Sequence, residues 1–193
     1  MPNANAVWAG DRMLRLKPSD VAVAVAYTVS AVLWVALAPM WARASDRHGR
    51  KLLTMAGVGA FVVSTLLCGL ALSAGMAGLV TGATAFILFG FARAIYGGLG
   101  SATPSATQAY LASKTRRNAR VAALSALASS FGLGTVLGPA LAPLFVFEPL
   151  GLPGAFYGFA LIGLFVLVAI ARWLPDDTKP RHGRRSGHGA AMS

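Results

Sequence analysis

Charge is what this chain has least of. Only 12% of its 193 residues are charged and 56% are hydrophobic, whereas a soluble domain is about a quarter charged. Acidic side chains are the scarcest. There are six, Asp11, Asp20, Asp46, Glu148, Asp176 and Asp177, none in the interior of an apolar run. Cysteine is nearly absent. Cys68 stands alone inside an apolar run, which excludes a disulfide framework and a cysteine metal cluster and leaves a small packing residue. The histidines, His48, His182 and His188, lie in polar segments. With no Gly-rich phosphate loop and no base near Cys68, neither enzyme chemistry nor a metal or cofactor site is legible. No signal-peptide core interrupts the polar residues 1–20.

Long apolar runs are what the chain does have. Five can be marked, at about 21–42, 52–73, 79–111, 121–147 and 155–174. A hydrocarbon core takes about 20 helical residues to cross. Barrel strands alternate apolar and polar over about ten residues, but these runs are apolar on every face. The expected fold is therefore an all-α membrane protein with five transmembrane helices. The third run exceeds a perpendicular span and is expected to tilt, or to protrude at its Pro104–Leu111 end. Residues 1–20 read as a polar tail, and residues 175–193, basic and Gly-rich, as a disordered tail or linker.

The net charge of +11 invites a nucleic-acid reading. Against it, no basic stripe with interleaved aromatics is present. Thirteen of the 17 Lys and Arg fall in three polar segments: 42–51, 113–120 and the C-terminal tail with Arg172. Five spans place all three on one side, opposite a side carrying Arg12, Arg15 and Lys17 alone. The positive-inside bias makes the richer side cytoplasmic. Trp41 and Trp173 then sit at inner helix ends, where indoles favour the interface. An odd number of spans also puts a three-cation tail on the outside, which leads to the expectation that a segment precedes residue 1.

Three motifs stand out. Asp46-Arg47-His48-Gly49-Arg50-Lys51 is a charged turn between two spans, with Gly49 free to take a positive φ. Arg93-Ala94-Ile95-Tyr96-Gly97 places the lone charge of the third run about 21 Å along a helix from Leu79. Facing lipid there would cost roughly 2.5–3.5 kcal/mol on insertion scales, so Arg93 is expected to face the protein interior or a cavity. Its role is either to orient an anionic group or modulate a proton site, or else to bond backbone for structure only. Tyr96, three residues on, shares its face. Gly134-Thr135-Val136-Leu137-Gly138-Pro139 reads as a bent small-residue packing seam.

Taken in this order, the motifs resemble those of the major facilitator superfamily. Its loop between the second and third helices has the pattern Gly-x-Leu-x-Asp-Arg-x-Gly-Arg-Arg/Lys, here with Ala42 for the first Gly and Ala44 for Leu. Its fourth helix carries an Arg with a Gly four residues on, and its fifth a Gly-Pro pair associated with antiporters. Within the superfamily the chain is similar to the drug/proton antiporter, tetracycline-efflux-like branch.

The resemblance implies that the five runs are the family's second to sixth helices, lacking the first helix and the C-terminal half. It further implies an efflux antiporter for small molecules in the inner membrane, linked to drug resistance. Such a half is expected not to transport alone. Its cavity residues would be Arg93, Tyr96 and Gly97; its cytoplasmic latch Asp46, Arg47, Gly49, Arg50 and Lys51; and its antiporter motif Gly134, Gly138 and Pro139. The expected partners are a small-molecule substrate, the lipid bilayer and a missing or separately encoded C-terminal half, with no nucleic acid. The alternative is a non-transporting membrane fragment, or a half-transporter subunit that pairs with such a half.

Overall fold

The computed structural model describes residues 18–175, all of them helix, turn or connecting coil, with no strand. Six α-helices follow in order: α1 (Pro18–His48), α2 (Arg50–Met76), α3 (Gly82–Leu99), α4 (Ala102–Lys114), α5 (Arg120–Leu141) and α6 (Pro153–Trp173). A 3₁₀ turn (Ala142–Phe145) follows α5. With α3 and α4 counted as one broken span, five segments are long and apolar enough to cross a membrane. The expected residues 1–20 tail and residues 175–193 tail lie outside the described residues, apart from 18–20 and 175.

Helix ends fall where backbone chemistry puts them, not where hydropathy changes. The charged segment after the first run is helical up to His48, because charge does not interrupt i→i−4 bonding once a helix leaves the apolar layer. The anticipated loop there is one residue wide. Gly49, at φ 95° and ψ 142°, separates α1 from α2, in a region that side-chain-bearing residues avoid. Its N–H donates to the Ser45 carbonyl at 3.2 Å and its own carbonyl accepts from Leu53 N at 3.4 Å. Asp46 and Arg50 bridge the joint at 3.6 Å.

The third run is broken rather than merely tilted. It starts after Thr81, whose hydroxyl accepts the Thr84 N–H at 3.2 Å, and parts at Gly100-Ser101. Pro104 lacks the N–H that would meet the Gly100 carbonyl and its ring crowds that oxygen. The Thr103 N–H takes the carbonyl instead, at 3.2 Å. Pro143 has the same effect on the fourth run, which turns from α-helix to 3₁₀ after Leu141. Pro153 opens α6 at a position where a missing N–H costs nothing.

The packing is inside out by soluble standards. Seven of the ten buried hydrophobic residues are alanine, and Ser30, Ser45, Ser64 and Ser101 are buried beside them. Large apolar side chains point outward, as Leu161, Phe165 and Val168 do on α6. Lipid gives no drive to hide them, while small residues let helices approach closely. A cluster of Leu53, Ala102 and Ala106, with Trp41 and Ala44 against it, joins α1, α2 and α4. The most enclosed span is α2, which packs on α6, α3, α4 and α1. By contrast α5 has no buried residue and packs mainly on α4 and the 3₁₀ turn.

Candidate functional site

Polar side chains that grip backbone oxygen hold α3 in place. Ser64 of α2 donates to the Ala92 carbonyl at 2.6 Å, and Ser30 of α1 to the Arg93 carbonyl at 3.0 Å. The Trp41 indole donates to the Gly98 carbonyl at 2.6 Å. Gly98 lies in the last turn of α3, where carbonyls lack an intrahelical partner. Trp41 thus caps the end of α3, while Trp173 is exposed, at 75%.

Between these ties α1 and α3 nearly touch. Gly97 is buried, and a Cβ there would stand 2.5 Å from the Ser30 carbonyl oxygen and 2.8 Å from its Cα. One turn earlier on the same face is Arg93. Gly97 therefore lets α1 come close enough to wall the arginine in.

Arg93 stands about 16 Å along the axis from Gly82, a distance of about half the thickness of a hydrocarbon core. Its guanidinium lies 4.6 Å from the ring centre of Tyr27 and 5.4 Å from that of Tyr96. Its Nε is buried without a hydrogen-bond partner. No acidic side chain pairs with it among the described residues. Each aromatic face supplies about 0.5–2 kcal/mol to a cation. Two rings together come to the same order as the insertion penalty of an arginine at mid-depth. The rings make the charge tolerable without cancelling it.

Arg93 opens onto a pocket of about 300 Å³ between α1 and α3, lined also by Tyr27, Ser30, Trp34 and Tyr96. Trp34 and Tyr96 meet at 5.3 Å between ring centres and separate it from a second, almost wholly apolar space of about 260 Å³. Phe61 of α2 and Phe131 of α5 border that second space.

The structure brings Arg93, Tyr96 and Gly97 together. It adds Tyr27, Ser30 and Trp34, which the sequence reading passes over. Their signal is the spacing 27, 30 and 34, one face of a helix, carrying the few polar-tipped residues of an otherwise aliphatic run. The motif at 46–51 is separate, at the α1–α2 joint. There the Asp46 side chain is 70% exposed and that of Arg50 25% exposed, and Arg47 and His48 close the last turn of α1. Lys51 follows Arg50 in the first turn of α2. Gly134, Gly138 and Pro139 lie on α5, where a Cβ at either glycine meets nothing within 4 Å. As a packing seam it has no counterpart among the described residues.

The sequence model of the Major Facilitator Superfamily matches residues 8–191. No curated protein and no solved structure matches the chain. The match spans nearly the whole sequence and all five spans, so the chain belongs to the Major Facilitator Superfamily.

Proposed function

We propose that this chain forms one wall of a small-molecule efflux antiporter in the cytoplasmic membrane. On this reading it works with a second helical bundle, and the joint at 43–51 and the loop at 113–120 face the cytosol. The observation that carries it is the Arg93 pocket, a charged, aromatic-lined space at mid-depth in a chain of this superfamily. Carriers of this type bind at mid-membrane between bundles that rock about the site. The Gly138-Pro139 pair, which resembles the family's antiporter motif, supports the antiport direction. The open flank of α5 leaves room for the second bundle.

Proton coupling requires a group whose pKa the membrane interior can move, most simply a carboxylate. Asp46 and Glu148, the acidic side chains described, lie at span ends. On this reading the proton carboxylate lies in the family's first helix or in the second bundle.

The test has two arms. Deleting the gene in its host should raise accumulation of at least one drug in a panel of small aromatic compounds that includes tetracycline, through a pathway that a protonophore abolishes. The 193-residue chain reconstituted alone in liposomes should show no flux driven by a pH gradient. Unchanged accumulation after deletion would favour a membrane protein without transport. Proton-driven flux by the isolated chain would refute the division of labour.

A further inference from the structure

The two tyrosines around Arg93 form the kind of aromatic enclosure that elsewhere captures a ligand cation. Here the chain's own guanidinium already occupies that place, 4.6 Å and 5.4 Å from the ring centres. A cationic ligand would meet Arg93 instead of free ring faces. The remaining polar equipment also favours acceptors. The Ser30 hydroxyl is committed to the Arg93 carbonyl, the Trp34 indole is a donor only, and the lining holds no carboxylate or amide side chain. What the pocket lacks is negative charge.

Size and walls narrow the ligand further. About 300 Å³ is the liquid volume of about ten water molecules, enough for one or two fused rings and a charged group. Trp34 and Tyr96 touch at a 59° tilt, so a flat ring in the pocket lies against a wall that offers an aromatic edge and an aromatic face side by side.

We propose that the Arg93 pocket binds a small planar aromatic monoanion. Its carboxylate or sulfonate meets the guanidinium, and its ring lies among Tyr27, Trp34 and Tyr96. This rests on the pocket being the substrate site of the proposed carrier. A carboxylate is the geometric match for a guanidinium, through paired N–H···O bonds. At mid-depth the bonds form in a low dielectric, where each is worth more than at a surface.

The test is equilibrium binding to the full chain in lipid nanodiscs, with 2-naphthoate as the probe. Two comparators isolate the two halves of the recognition: 2-naphthamide keeps the rings and loses the charge, and decalin-2-carboxylate keeps the charge and loses the aromaticity. Naphthoate is expected to bind about tenfold tighter than naphthamide, the value of one charge-assisted contact. It should also bind more tightly than the saturated acid. Arg93→Gln should erase the preference over naphthamide, Arg93→Lys should keep part of it, and Tyr27→Leu should narrow the preference over the saturated acid. Should Arg93→Gln fail to fold, the comparators on the unsubstituted chain decide alone. Equal affinity for naphthamide, equal affinity for decalin-2-carboxylate, or an unaltered preference in folded Arg93→Gln would each overturn the proposal. Because binding is read without transport, an absent naphthoate preference alongside protonophore-sensitive efflux overturns the ligand class and leaves the carrier reading standing. Selective binding without efflux does the reverse.

Discussion

At the scale of single residues, Arg93 was legible because one charge in a long apolar run has few explanations. Its surroundings were not. Tyr27 and Trp34 read as ordinary membrane aromatics until α1 is laid against α3, and nothing in the spacing of α1 says which helix it meets. Gly97 is the residue on which that contact turns. Its neighbour Gly98 offers a natural control, since a Cβ there meets only Leu37 Cδ1 at 3.7 Å, an ordinary contact. Gly97→Ala should force the helices apart, stretch the Ser30 bond to the Arg93 carbonyl and cost about 1–3 kcal/mol as an overpacked interface. Gly98→Ala should be close to neutral. Denaturant titration of the two variants in detergent measures the difference; equal stabilities would mean that the α1–α3 approach is looser than the backbone indicates.

At the scale of elements, run length alone identified the five spans, and their boundaries were the weaker part. Hydropathy reports where lipid ends, whereas helices end where a backbone donor or a φ angle runs out. That is why α1 continues through Asp46 to His48, and why Pro104 and Pro143 divide runs that look continuous by hydropathy. The joint at Gly49 invites two explanations, an ionic latch or a backbone hinge, and the magnitudes separate them. A pair such as Asp46–Arg50, whose carboxylate is largely exposed, is worth about 0–1 kcal/mol. A side chain forced to φ 95° and ψ 142° costs about 1–3 kcal/mol. Gly49→Ala should therefore destabilise the folded bundle more than Asp46→Asn. The reverse order in the same titration would make the ion pair the principal restraint.

At the scale of the molecule, the proposed cytosolic placement of the joint at 43–51 depends on which way the bundle lies in the membrane. That orientation comes from charge asymmetry. In the sequence, thirteen cations fall in segments that five spans would put on one side and three in the segment they would put on the other, and the proposed orientation rests on an excess of Lys and Arg marking the cytoplasmic face. Two positions read the orientation directly. His48 closes α1 just before the joint and Met76 ends α2, so about 40 Å of helix separates them. Both are exposed, Met76 at 61%. The native Cys68 is 1% exposed and contributes little background to thiol labelling. In intact cells a membrane-impermeant maleimide should react with Met76→Cys and spare His48→Cys until the membrane is permeabilised. If His48→Cys reacts from outside while Met76→Cys is protected, the bundle is inverted. The joint at 43–51 and the loop at 113–120 would then face away from the cytosol, against the proposed topology.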